Sequence, residues 1–157
     1  MVSKFSRTEL EDSTDRGCAI IGATNVEVWL EKALRRHLVN SRRHASWFFR
    51  DGAPLSSFEA KIRIAHLTGL VSEEMMQELL ILKDLREMFI SELATSSFDS
   101  PVVSHMIQKF SYIPSLDRAR RHSARPKSNR ITYEIVVYTV CDYLGSDFAF
   151  GMPHPIA

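Results

Sequence analysis

The sequence predicts an all-α fold, a single-domain bundle of about five to seven helices. Its 157 residues, 45% hydrophobic and 25% charged, suit one ordinary domain with a substantial core. Along most of the chain, apolar residues recur at steps of three and four, the spacing of one helix face. The six prolines and six glycines fall mostly where helices would begin or end. We therefore expect one domain over residues 1–157, with its core over about residues 12–144.

The first predicted element is a long amphipathic helix from Asp15 to about Val39, and it is the best supported by apolar periodicity. Gly17 and Gly22 each lower helix propensity by about 1 kcal/mol relative to alanine. We therefore expect both glycines to let another helix come close. A short second helix is predicted from Ser41 to Arg50, and residues 51–54 then form a turn.

Capping signals predict three further helices. Ser56 to Glu59 is a capping box, and the helix that it opens ends at Gly69, which suits a left-handed C-terminal cap. Ser72, followed by two glutamates, opens a longer helix to about Ala94. Asp99-Ser100-Pro101 places a cap before a proline and predicts a shorter helix to about Phe110.

The last part of the chain gives weaker signals. Residues 112–130 combine two prolines, several serines and little apolar content, and we predict a basic loop there. The β-branched residues of Ile131 to Leu144 favour a strand, yet that length is unusual for a strand without a partner. We predict a helix for this segment and leave the strand open, followed by a flexible tail over residues 145–157.

Composition and motifs exclude several classes of function. The first fifteen residues are polar where a signal peptide would be apolar, and no stretch reaches the roughly 20 apolar residues of a membrane span. Cys18 and Cys141 have no nearby cysteine partner, and the histidines lack the spacing of a zinc site. No nucleophile elbow, phosphate-binding loop or dinucleotide-binding pattern occurs. We therefore expect a cytoplasmic, non-enzymatic protein with no cofactor, bound metal or catalytic residue.

A basic run is the first candidate binding site. Six cations occur within thirteen residues without an acid, a pattern that can neutralise phosphates and bind nucleic acid. A solvated loop is the alternative, because no aromatic residue is interleaved and no helix-turn-helix precedes the run. The six residues are Arg118, Arg120, Arg121, Arg125, Lys127 and Arg130.

A second candidate is a polar cluster between the two long helices. If these helices pack antiparallel, Asp15 and Arg16 could meet Arg86 and Glu87 in a partly buried site. The alternative is an exposed face with an ion pair such as Lys83 with Glu87, worth about 0.3–0.5 kcal/mol.

Several short blocks, in order along about residues 12–110, resemble the mannitol operon repressor family. The resemblance implies an all-α bundle that represses mannitol-use genes and lacks an evident DNA-binding module. It also implies a transcriptional regulator that acts through a protein partner or another transcription factor. The blocks are Asp15-Arg16-Gly17, residues 52–58, Lys61-Ile62, Gly69-Leu70-Val71, Leu85-Arg86-Glu87 and Ser97-Phe98-Asp99.

The family motif also bears on catalysis. Family members carry an arginine, a polar neighbour and then a histidine five residues after the arginine, which is similar to the motif of HEPN-type ribonucleases. Arg86 and Glu87 match, but Ser91 stands at the histidine position. Because an unactivated serine cannot move a proton near neutral pH, the wider resemblance implies a catalytically dead relative.

Three functions therefore follow from the sequence, with a regulator that works through protein contacts as the first. The alternatives are direct nucleic-acid binding through residues 118–130 and a catalytically dead HEPN-like relative. A homodimer is plausible, because long apolar-faced helices often pair. The aromatic triplet Trp47-Phe48-Phe49 could serve such a contact or close the core of the monomer.

Overall fold

A computed structural model describes residues 7–38, 42–91, 97–110 and 128–146. No strand occurs in these ranges, and the prediction of a single-domain all-α bundle is confirmed. Most of the predicted tail and most of the predicted basic loop lie outside the described residues, and Asn129, Arg130 and Gly145 belong to the last helix instead of to a loop or tail. The helices are α1 (Arg7–Glu11), α2 (Asp15–His37), α3 (Arg42–Phe48), α4 (Phe58–Leu67), α5 (Glu73–Ser91), α6 (Pro101–Gln108) and α7 (Asn129–Gly145).

Helix α2 lies at the centre of the bundle and contacts α1, α4, α5 and α7. It runs antiparallel to α5, since Arg16 at its start donates a hydrogen bond to the carbonyl of Ile90 at the end of α5 (3.2 Å). It runs parallel to α7, since Arg36 at its end donates to the carbonyl of Leu144 at the end of α7 (2.8 Å). The core therefore forms around α2 rather than around one pair of long helices.

Residues 131–144 are helical, and the strand alternative is wrong. The hydroxyl of Ser128 accepts a hydrogen bond from the backbone N–H of Ile131 (3.2 Å) and caps the start of α7. The β-branched residues occupy helical spacing, because the side chains of α7 that are buried recur at steps of three and four. Tertiary burial thus outweighs the β propensity of the segment. The buried side chains are Tyr133, Val136, Val137, Val140 and Leu144.

Gly22 explains the close approach of α2 to α7. A Cβ atom at Gly22 would lie 2.9 Å from Cε1 of Tyr133 and 3.1 Å from Cγ2 of Val137. The prediction for Gly17 is wrong, because a Cβ there would first meet side chains of the preceding turn, at 3.1 Å in the nearest case. Gly22 therefore allows α2 to pack closely on α7, whereas Gly17 leaves room only for side chains of the turn before α2.

The predicted caps are mostly present. The Ser57 hydroxyl accepts from the N–H of Ala60 (3.1 Å), and Gly69 adopts a φ of +75° after α4. In a capping box, Glu59 would accept a hydrogen bond from the N–H of the cap residue. Its carboxylate instead accepts a hydrogen bond from Arg63 of the same helix (2.7 Å). None of the described helices is long and apolar enough to cross a membrane.

Candidate interaction surface

The polar residues that were expected to form one cluster belong to two separate sites. Helices α2 and α5 do pack antiparallel, as the hypothesis required, but Asp15 pairs with Arg130 of α7 (2.9 Å). Arg86 points instead toward the middle of α2, and Glu87 lies on the exposed side of α5, with 61% of its side chain accessible. The predicted meeting of Asp15 and Arg16 with Arg86 and Glu87 is therefore wrong.

Arg130 ties the start of α7 to the connection between α1 and α2. Its guanidinium forms ion pairs with Asp15 (2.9 Å) and Glu134 (3.0 Å), and it donates to the carbonyls of Leu10 (2.7 Å) and Ser13 (2.8 Å). This guanidinium is therefore committed within the fold, which contradicts its prediction as a phosphate-binding residue. The other five cations of the basic run lie outside the described residues.

Both thiols are poorly suited to reaction. Burial raises the pKa of Cys18 to about 12, against an opposing effect from nearby Arg130. Burial also raises the pKa of Cys141 to about 12. Because the thiolate is the reactive form, neither side chain is ionised near neutral pH. No group of three or more His, Cys, Asp or Glu side chains in the described parts of the chain could hold a metal ion.

A chain of alternating charges joins α5, α2 and α4, and we call it the ionic network. Arg86 pairs with Glu27 (2.6 Å), Glu27 also pairs with Lys61 (2.8 Å), and Lys61 pairs with Glu31 (2.9 Å). Arg35 closes the series on Glu31 (2.8 Å). Lys61 is only 5% exposed, so its two carboxylate partners compensate the cost of burying the charge. The network therefore fixes how three helices pack.

Arg86, the arginine of the motif that resembles the family, is a member of this ionic network. The guanidinium of Arg86 lies over the ring of Phe58, 4.9 Å from its centroid, as well as against Glu27. Ser91, at the position of the family histidine, donates a hydrogen bond to the carbonyl of Glu87 on its own helix (2.8 Å). Arg86 thus joins α5 to α2, and Ser91 forms a hydrogen bond with the backbone of its own helix.

The ionic network gives a pH dependence of stability. Burial alone would raise the pKa of Glu31, but hydrogen bonds from Lys61 and Arg35 outweigh it and hold the pKa below its ordinary 4.5. A carboxylate with a lowered folded-state pKa stabilises the fold above its unfolded pKa, and this contribution is lost as the pH falls through the folded value. We expect the free energy of unfolding, measured by urea denaturation, to fall below about pH 4.5.

The matched comparison for this prediction is Glu31→Gln, which removes the titrating group. The decrease in the free energy of unfolding between pH 7 and acid should be smaller in this variant than in the wild type. An equal decrease in Glu87→Gln and Glu31→Gln would contradict the role of the network, since Glu87 is exposed and pairs with Lys83, which lies outside the network.

A largely apolar cavity opens beside the Arg35 end of the ionic network, and we call it the α3 pocket. It has a volume of about 530 Å³ and lies between the end of α2, helix α3, the following connection and α4. Beside it, Trp47 and Phe48 are 53% and 44% exposed, with ring centroids 5.1 Å apart in an edge-to-face arrangement. Its lining includes Leu38, Phe48, Phe49, Pro54, Leu55 and Ile64.

One arginine and one histidine lie at the α3 pocket. The guanidinium of Arg35 lies over the ring of Phe49, 4.4 Å from the centroid, and exposed His44 lines the pocket itself. Arg50, two residues after the end of α3, is also exposed. From Lys32 to Arg50 the sequence has six Lys or Arg residues, two histidines and no acid. These cations do not all face the pocket, because Lys32 lies over the ring of Trp29 and Arg36 donates to the carbonyl of Leu144 in α7.

The structure divides the aromatic triplet between the two roles that the sequence left open. Phe49 is partly buried and packs against the core, whereas Trp47 and Phe48 stay exposed. Large aromatic side chains exposed beside an apolar pocket are typical of protein interaction sites. The α3 pocket with these two side chains is therefore the candidate interaction surface.

Comparison with known proteins identifies a shared fold. No family model and no curated protein sequence matches the chain. One solved structure that is similar is the MtlR–HPr complex from Escherichia coli, with a TM-score of 0.69 and 10% identity. The match covers 88% of this chain and 94% of the other. At this identity the likeness shows that the helices are arranged alike over nearly the whole of both chains.

Proposed function

We propose that this protein is a non-enzymatic transcriptional regulator of the mannitol operon repressor type, and that it acts by binding a protein partner. The observation that carries the proposal is the exposed pair Trp47 and Phe48 beside the α3 pocket. The fold supports it, since MtlR, a mannitol operon regulator, has the same arrangement of helices and was solved in complex with HPr.

The energetics of protein interfaces favour this surface as a binding site. Tryptophan and arginine are enriched among the residues that dominate binding energy, and such residues cluster around well-packed pockets. Trp47 is 53% exposed and Phe48 is 44% exposed, so a partner would remove substantial apolar area from water.

Direct nucleic-acid binding is the rival hypothesis. It depends on Arg118, Arg120, Arg121, Arg125 and Lys127, because Arg130 is held by Asp15 and Glu134. This hypothesis requires affinity that falls steeply with salt and that is lost when the arginines are changed to alanine.

We also propose that the protein forms a homodimer, and light scattering of the protein alone would measure its oligomeric state.

The test joins transcript levels with binding in solution. Deleting the gene should change the transcripts of a small set of operons, and promoter fragments of those operons should not bind the purified protein. Binding is measured by size exclusion with light scattering at low and high salt. Unchanged transcripts would refute a regulator, and a salt-sensitive complex that is lost in R118A/R120A/R121A/R125A would replace protein contact with direct binding.

A further inference from the structure

We propose that Asp51 is a site of isoaspartate formation, at which the main chain comes to run through the side-chain carboxyl of Asp51 instead of its α-carboxyl. This inference goes beyond the proposed function and does not depend on it, since it concerns the chemistry of one exposed turn. Three observations carry it. They are the residue that follows Asp51, the exposure of the turn, and the hydrogen bonding of the reacting nitrogen within the described residues.

The reaction is a ring closure followed by a hydrolysis. The backbone nitrogen of Gly52 bonds to Cγ of Asp51 and loses its proton, and the carboxyl group loses its OH, so one water leaves and a succinimide ring remains. One water then adds to the ring. Cleavage at the side-chain carbonyl restores aspartate, whereas cleavage at the main-chain carbonyl gives isoaspartate with a free α-carboxylate. The two steps conserve the mass of the chain and require no other reactant.

Glycine after aspartate provides the least hindered nitrogen for this ring closure. Because glycine has no Cβ, nothing crowds the attacking nitrogen, and the backbone around it reaches conformations that other residues avoid. Asp51-Gly52 is the one Asp-Gly pair in the sequence, and no Asn-Gly pair occurs. A Cβ placed on Gly52 would meet no atom within 4 Å, so the described residues leave this side of the turn open.

The turn leaves both reacting groups accessible. Its closing hydrogen bond runs from the N–H of Ala53 to the carbonyl of Arg50 (3.0 Å), and Gly52 adopts a φ of +76°. Asp51 and Gly52 are both exposed. Within the described residues, the Asp51 carboxylate has no ion pair or hydrogen bond, and the N–H of Gly52 donates to no acceptor. Ring closure therefore requires rotation of an exposed peptide, which the closing bond of the turn opposes.

The backbone restrains the other small-residue sites more strongly. Serine is the next smallest residue that follows an aspartate in this chain, at Asp12-Ser13 and Asp99-Ser100. The N–H of the first serine donates to the carbonyl of Leu10 (3.3 Å), and that of the second donates to the carbonyl of Ser97 (3.3 Å). Each nitrogen would lose a hydrogen bond on attack, and each serine carries a Cβ. We therefore expect Asp51 to react before either Asp-Ser pair.

The turn also carries part of the wall of the α3 pocket. Pro54 and Leu55 line the pocket, and the N–H of Leu55 donates to the carbonyl of Phe48 (2.9 Å). The isoaspartate linkage inserts the side-chain methylene of Asp51 into the main chain just before these residues. The modification therefore changes the path of the chain that leads into the pocket wall.

The experiment follows isoaspartate in the purified full chain during incubation at neutral pH and physiological temperature. Protein L-isoaspartate O-methyltransferase with labelled S-adenosylmethionine counts the isoaspartyl groups, and electron-transfer fragmentation of proteolytic peptides assigns each group to a residue. We expect residue 51 to gain isoaspartate at least about tenfold faster than either Asp-Ser pair. A synthetic peptide of residues 46–57 gives the rate without the fold, and the full chain should react no more than about tenfold more slowly.

Two variants assign the signal to this site. Asp51→Glu keeps the charge, but its longer side chain would have to close a larger ring, so methyl incorporation should fall to the level of the remaining aspartates. Gly52→Ala should slow the reaction about tenfold, because alanine adds a Cβ beside the nitrogen and disfavours the φ of +76°. Far-ultraviolet circular dichroism establishes that each variant keeps its helices.

Three results would overturn the proposal. They are faster isoaspartate formation at an Asp-Ser pair than at residue 51, a rate in the full chain more than about tenfold below that of the peptide, and unchanged methyl incorporation in D51E. The second result would show that the fold holds the turn closed against the reaction. The transcripts of the deletion strain decide the proposed function separately, so neither outcome there bears on this site.

Discussion

Replacing Gly22 by leucine is expected to abolish cooperative folding, and Gly22→Ala to lower the free energy of unfolding by about 1–3 kcal/mol. A Cβ at this position would lie 2.9 Å from Cε1 of Tyr133 and 3.0 Å from its hydroxyl. The Tyr133 side chain is fully buried, and its hydroxyl donates a hydrogen bond to the carbonyl of Ala19 (2.6 Å). Moving the ring would therefore break a buried hydrogen bond as well as the packing of α2 on α7.

The matched control for Gly22→Ala is Gly17→Ala on the same helix. Both substitutions gain about 1 kcal/mol of helix propensity, but a Cβ at Gly17 meets the side chains of Ser13 and Thr14, which belong to the preceding turn. Urea denaturation followed by circular dichroism should show Gly17→Ala close to wild type and Gly22→Ala clearly less stable. Equal stability of the two variants would show that α2 and α7 are not in close contact at Gly22.

The second large effect is expected from Glu27→Gln, which should cost about 2–3 kcal/mol of stability at neutral pH. The two carboxylate oxygens of Glu27 bind different cations, Lys61 at 2.8 Å and Arg86 at 2.6 Å. The amide keeps the shape but not the charge, so Arg86 and Lys61 face each other across a neutral group. Arg86 is 17% exposed and Glu27 18%, and this partial exposure lowers the cost below that of a fully buried pair.

Glu87→Gln is the control for this prediction, because it removes a carboxylate from the exposed side of α5. Its side chain is 61% exposed and its contact with Lys83 is long, at 3.4 Å, so we expect a change below about 0.5 kcal/mol. The same urea denaturation at pH 7 compares both variants with the wild type. A loss in Glu27→Gln no greater than that in Glu87→Gln would contradict the bridging role of Glu27.

The main helices could be predicted from the sequence because each carries its own local signals. Apolar periodicity and the caps at Ser57 and Ser72 are properties of neighbouring residues, and the hydroxyls of both serines accept from first-turn N–H groups. The cap at Ser128 was not predicted, because that residue was assigned to the basic loop. Helix α1 had no such signal. It has five residues, too few for a periodic pattern, and burial of Leu10 against the rest of the fold holds it in place.

The ionic network could not be predicted, because it depends on which helices meet. Glu27 and Arg86 are 59 residues apart, and nothing in the spacing of either helix selects the other. The same reason explains why Asp15 was assigned to the wrong partner, since Arg130 reaches it from α7. The antiparallel packing that the hypothesis assumed is present, but the register and the third helix decide the ion pairs.

Only part of the candidate interaction surface could be predicted from the sequence. An aromatic triplet is equally compatible with a core and with an interface, and the structure places Phe49 inside and Trp47 outside. The run of cations from Lys32 to Arg50 is visible in the sequence, but the structure turns Arg36 toward Leu144 of α7 and leaves Arg35 at the pocket. That signal gains meaning only when the pocket between α3 and α4 is known.

The central claim is that the protein regulates transcription through the surface around Trp47 and Phe48. The most direct measurement compares transcript levels in the deletion strain carrying the wild type, F48E or V102E at equal protein levels, where V102E changes an exposed side chain of α6. The wild type and V102E should restore the transcripts to their original levels, and F48E, although folded, should not. Restoration by F48E to the same extent as by V102E would contradict the claim.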